Sequence, residues 1–291
     1  MSGCASGPLT RTSRAHRPQG DAAQASSDRA TATSPERRES PQAAATPPRA
    51  PTATTIEGSD AALAAALVRA GTDPTAQNLD RVAERYFGWG VLDTALEFYT
   101  RALAVDRSDA VAYEHLGRIW RDWGFFERAM AAASKAVYYA PSSASAYNTL
   151  ATIMQAVGDR RNARWAYEES LKRDPWASYA LTNLCYVSFL DGEMDRATAQ
   201  CEEALKMEPA LASAHNNLAL IFAARGRMDL AQRELSAAGD PASAQFNLGV
   251  IFMAQRDFGR AADAFEIASA SRPLFRAADQ RARQARARAQ D

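Results

Sequence analysis

The chain has 291 residues, with 34 Lys+Arg balanced by 34 Asp+Glu, and a pI near 6.9. That balance argues against a nucleic-acid partner, which needs clustered basic charge to displace counterions from phosphates; no run of 18 apolar residues is present to span a membrane. Abundant alanine, modest Gly and Pro (15 and 13) and short β-branched runs lean towards helix.

The first residues are Met1-Ser2-Gly3-Cys4-Ala5. They resemble the end of a bacterial lipoprotein signal, in which a hydrophobic residue, a small residue and Gly or Ala precede the lipidated Cys. No basic or apolar stretch precedes them. One expectation is a start assigned too late, with Cys4 lipidated and Ala5 directing the chain to the periplasm-facing side of the outer membrane, as in enteric sorting. The other is a coincidental match in a cytoplasmic chain. Residues 1–57 are rich in Ala, Pro, Ser, Thr, Arg and Gln and nearly free of large apolar side chains. They cannot bury enough surface to offset ordering entropy, and are expected to form a disordered tether.

An N-terminal helix is expected within 58–72, over Ala61–Ala70, capped by Ser59 or Asp60 and stopped by Gly71. Beyond it the sequence repeats. Pro141, Pro175 and Pro209 stand 34 residues apart, and Gly124, Gly158, Gly192 and Gly226 keep the same step. So do Ala129, Ala163, Ala197 and Ala231, and Leu116, Leu150, Leu184 and Leu218. A period of that length marks a repeating helix pair. The leucine and the small residue after it (Gly117, Ala151, Cys185, Ala219, Gly249) lie on the inner side of the first helix, where a small side chain admits the second helix. The glycine makes the turn between them, and the proline ends the second helix.

This order resembles the tetratricopeptide repeat family, carried in the second unit by Tyr113, Leu116-Gly117, Trp120, Gly124, Ala129, Ala133, Ala136 and Pro141. Ala133 stands where that family usually has an aromatic. The resemblance implies an all-α, right-handed superhelical solenoid of about six helix pairs over 76–275, in units near 76–109, 110–143, 144–177, 178–211, 212–241 and 242–275. The fifth unit is short, so its second helix should end near Gly239. The sixth has Arg256 where the turn glycine belongs. A capping helix is expected over 274–289.

In this family the first helices line a concave groove through the second, fifth, ninth and twelfth positions of each unit. The first two units offer a mixed charged surface there, including Asp80, Glu84, Glu114, Arg118 and Arg121, and the third is neutral and polar, with Asn148 and Thr152. The fourth to sixth offer Tyr179, Thr182, Tyr186, Phe189, Asn216, Leu220, Phe246, Val250 and Met253. That last set suits a peptide or amphipathic helix, unless neighbouring repeats cover it. The fifth position is never Lys, which argues against the carboxylate clamp of chaperone-binding relatives. At the turns, Trp89, Val91, Trp123 and Phe125 replace the usual polar residues and form a candidate docking patch, unless the first helix or the linker folds over them.

His115 and His215 lack acid or thiol partners at catalytic spacing and read as packing or groove residues. The three cysteines are too scattered for a disulfide framework or a zinc site, and Cys185 and Cys201 read as core thiols. The arginine-rich end (Arg276, Arg281, Arg283, Arg286, Arg288) reads as a solvated capping face. No nucleotide loop, nucleophile elbow, metal set or cofactor motif is visible. The expected function is a non-catalytic scaffold for a protein partner that meets a membrane only through a lipid on Cys4, similar in architecture to pilotin-type lipoproteins of type IV pili and their pilus-assembly relatives. The alternative is a cytosolic adaptor or secretion chaperone. A glycosyltransferase fragment retaining only its repeats ranks well behind both.

Overall fold

The computed structural model describes residues 60–272 and 274–290, and all their regular structure is helical. Cys4 and the tether expected over 1–57 lie outside the described residues.

Helix α1 (Ala61–Thr72) begins at Asp60, whose carboxylate accepts the amides of Ala62 and Leu63 at 2.7 and 3.0 Å. Antiparallel pairs follow: α2 (Ala76–Gly88) with α3 (Leu92–Val105), α4 (Ala110–Asp122) with α5 (Phe126–Tyr139), and α6 (Ala144–Ala156) with α7 (Arg160–Arg173). Next come α8 (Ser178–Leu190) with α9 (Met194–Met207), α10 (Ala212–Ala224) with α11 (Met228–Ala237), and α12 (Pro241–Ala254) with α13 (Phe258–Ser271). Helix α14 (Arg276–Gln290) packs on α13. Each helix packs most extensively on its pair partner and then on the next pair, as expected of a stacked solenoid.

One turn closes every pair. In α4–α5, Gly124 sits at φ 79° and donates to Arg121 O at 2.9 Å, while the Phe125 amide donates back to Trp120 O at 2.8 Å. This is the left-handed helix C-cap, with a six-to-one bond and an apolar contact across it: the Trp120 and Phe125 rings meet edge-on at 5.7 Å. The α12–α13 turn keeps the same bonds without glycine. Arg256 takes φ 62°, and Asp257 N–H reaches Phe252 O at 2.9 Å. Helix α11 has 10 residues and stops before Gly239 (φ 93°). Asp240 then caps α12, with Pro241 in its first turn.

The contact between the two helices of a pair falls at the eighth and twenty-fourth positions of the unit. Ala83 and Tyr99 share one core cluster, as do Ala151 and Tyr167, and Ala219 and Leu235. Gly117 lies against Ala133, and Gly249 against the ring of Phe265. In the α8–α9 pair the same two positions are Cys185 and Cys201, and they form a disulfide with a Cα–Cα distance of 5.5 Å. This corrects the expectation of two free core thiols. A separation of 16 residues matches no cysteine motif, yet in this register the two positions face each other across the helix pair, within disulfide reach. Both cysteines are fully buried.

Candidate partner-binding groove

The inner positions of successive first helices are joined by side-chain hydrogen bonds. Glu114 on α4 accepts from Ser145 and, at 3.3 Å, from Thr149 on α6. Arg121 donates to Thr152 at 2.8 Å. Asn183 on α8 donates to Asn148 on α6 at 3.0 Å, Asn217 on α10 donates to Thr182 O at 3.0 Å, and Asn247 on α12 donates to Asn216 at 3.0 Å. The sixth position, which supplies Thr149, Asn183, Asn217 and Asn247, was not among the expected inner positions. Its run of short polar residues, 34 residues apart from Thr149 to Asn217 and 30 on to Asn247 across the short fifth unit, is the signal that could have revealed it. A hollow of about 250 Å³ opens on this seam, lined by Glu114, Arg118, Arg121, Asn148, Thr152 and Tyr179, among others.

The candidate groove residues divide. Tyr179 and Val250 are exposed. Tyr186 and Phe189 are half-buried with ring centroids 6.3 Å apart, and Asn216 is half-buried as the acceptor from Asn247. Leu220, Phe246 and Met253 are half-buried and pack on core clusters. The Phe246 ring lies 5.3 Å from that of Phe265 and 5.1 Å from that of Phe275. Thr182 is buried, and its hydroxyl donates to Ser178 O at 2.8 Å, so it does not offer itself to a ligand.

At the N-terminal end of the face, burial raises the pKa of Asp80 to about 8; the hydrogen bond and charge of Asp109 and the charge of Glu84 add to it. His115 lies between Phe87 and Tyr99, each ring centroid 4.9 Å away, and its pKa is lowered to about 4 by burial and then by the Arg118 charge. His215 links its two helices, contacting Glu234 at 2.7 Å and Pro209 O at 3.0 Å. Both histidines therefore serve packing in this structure.

The docking patch also divides. Trp89 and Val91 are half-buried against the cluster that contains Leu63 of α1. Trp123 and Phe125 remain exposed, and Phe126 joins them. Phe125, the residue after the left-handed position, packs its ring edge-on against Trp120 of its own first helix.

No family model and no curated protein matches the sequence. Among solved structures, a chain of the APC/C hetero-tetramer Cut9–Hcn1 is similar over 77% of this chain, with a TM-score of 0.65 and 17% identity. The match spans 45% of that chain, less than half its length. A tetratricopeptide repeat protein from Parabacteroides merdae is similar over 77% of this chain and 90% of its own, with a TM-score of 0.60 and 15% identity. The chain has the helical-repeat fold of tetratricopeptide proteins.

Proposed function

We propose that this tetratricopeptide-type solenoid is a scaffold of six helix pairs, capped by α14, that holds a protein partner against its inner face. The observation that carries this reading is the hydrogen-bonded seam from Glu114 to Asn247, which fixes inner side chains on successive helices before any ligand arrives. A surface ordered in advance loses less entropy on binding. Exposed Tyr179 and half-buried Tyr186 and Phe189 stand beside it and supply the aromatic anchors that interfaces favour. A peptide or amphipathic helix is the partner such a face suits. Cut9 and Hcn1, in the similar structure, are partners in a hetero-tetramer.

The test compares proteins cross-linked in cells by the wild type and by a Tyr186→Ala/Phe189→Ala variant. A partner lost by the variant at unchanged helicity supports the groove. An unchanged set of partners would move binding elsewhere.

The buried disulfide favours an oxidising compartment over a cytosolic adaptor, because cytosolic thiols are kept reduced. That fits a lipidated Cys4 and a periplasm-facing chain. Thiol titration of protein unfolded directly from its native cells, with membrane fractionation, decides it: two reactive thiols at Cys185 and Cys201 would return the chain to the cytosol.

A further inference from the structure

Arg69 on α1 and Arg81 and Arg85 on α2 converge on an open hollow of about 330 Å³, together with Asn78, Glu84 and alanine methyl groups of α1. Asn78, Arg81 and Arg85 occupy the third, sixth and tenth positions of their unit. In the next unit those positions are Ala112, His115 and Ile119, turned inward against the preceding pair. The α2 face therefore departs from the pattern at the pair that, among the described residues, comes first.

A terminal solenoid face needs polarity to stay soluble. It does not need three like charges, which repel one another at short range. Among the described residues none of the three arginines makes an ion pair, and ion pairs begin at Arg121. Arg81 donates only to Asn78 Oδ1, at 3.2 Å, and Asn78 holds Asp73 at 3.2 Å. At the other end, Arg286 of α14 is fully engaged by Asp263 at 2.7 Å and Glu266 at 2.8 Å. Among the described residues Arg286 is the one arginine of α14 held in an ion pair, while the N-terminal cluster has none and stands beside the inner face. Its lining carries three positive charges against Glu84 alone, an excess of two. Glu84 is also a ninth-position residue, so the hollow opens beside the N-terminal end of the inner face.

We propose that this hollow seats an acidic segment of the partner, with two carboxylates close in sequence received by the guanidinium groups. Guanidinium forks match carboxylates two bonds at a time. The alanine floor leaves room for a peptide main chain, and two carboxylates cancel the excess charge. The inference rests on the reading that the inner face binds a protein, and it specifies the chemistry at one end of that partner.

The experiment uses the full chain and fluorescein-labelled hexaglutamate, read by anisotropy at low and physiological salt. Arg81→Gln/Arg85→Gln, and separately Arg69→Gln, should weaken binding about tenfold or more, the loss of one to two charge-assisted contacts. Arg281→Gln/Arg283→Gln, which removes equal charge from the far end, should leave it nearly unchanged. Tyr186→Ala/Phe189→Ala should also leave it unchanged, so the groove and the hollow can fail separately. Absence of hexaglutamate binding, or equal losses at the two ends, overturns the proposal. So does displacement by inorganic pyrophosphate at concentrations where unlabelled hexaglutamate fails, which would assign the hollow to a phosphate ligand.

Discussion

Asp80 lies at an inner-face position but is almost wholly buried, and its pKa is raised from 3.8 to about 8. Between those values the folded chain holds a proton that the unfolded chain has released. Asp80 therefore contributes stability that is full below about pH 4 and lost as pH rises through about 8. His115 runs the other way. With its pKa lowered from 6.5 to about 4, the folded chain lacks a proton the unfolded chain binds, so its term improves from about pH 4 to 6.5. Asp80→Asn keeps the shape of the protonated acid and removes the ionisation. Its thermal midpoint should exceed the wild type's more at pH 8 than at pH 5; an equal gap at both pH values would mean Asp80 does not hold its proton. Gly249 shows a second residue-scale constraint. A Cβ there would sit 2.7 Å from the ring of buried Phe265. Gly249→Ala should lower stability by about 1–3 kcal/mol in urea unfolding, as overpacking does. A neutral result would show that the ring can swing aside. The small residue at this position was legible from the repeat. The unusual pKa of Asp80 was not, because it depends on how far packing buries a fifth-position carboxylate and on Asp109, at the far end of the same unit, being brought beside it.

At the scale of elements, the turns carry the fold's regularity. A 34-residue recurrence fixes where each chain reversal falls, which made the helix pairs and the short α11 readable, while α14 was expected from the family resemblance. Two things were not readable. The half-burial of Trp89 and Val91 against the cluster that contains Leu63 is a tertiary fact without a periodic signature. The Cys185–Cys201 bond was hidden because two cysteines 16 apart mean nothing until the eighth and twenty-fourth positions are known to touch. The α12–α13 turn tests how far the motif tolerates its sequence. Arg256 adopts the left-handed region at φ 62°, which crowds a residue with a Cβ by about 1–2 kcal/mol. Arg256→Gly relieves that crowding while adding freedom to the unfolded chain, so a net gain of about 0.5–1 kcal/mol is expected. Gly124→Ala, which introduces the crowding in an equivalent turn, should lose a similar amount. Paired urea titrations measure both; opposite signs are the requirement, and a loss in Arg256→Gly would show that the arginine side chain itself holds the turn.

At the scale of the whole molecule, stability in a solenoid is close to a sum of unit terms and interfaces between neighbours, so a weak unit in the middle divides the array. The α8–α9 pair is such a position. Where its two neighbouring pairs fill the inner contact with Tyr167 and Leu235, it has the joined Cys185 and Cys201. Closing a loop of this length is worth about 3 kcal/mol by restricting the unfolded chain. Cys185→Ala/Cys201→Ala removes that and leaves a contact poorer in apolar volume than its neighbours. Hydrogen exchange of the variant should accelerate first in α8 and α9, then in α10 to α13, while α2 to α7 keep their protection. The single melting transition should broaden or split. Reductant alone should act slowly on the native protein, since neither cysteine is accessible to solvent until the pair opens. Uniform acceleration along the chain would instead mean that the array unfolds as one cooperative block and that the disulfide adds to all units equally.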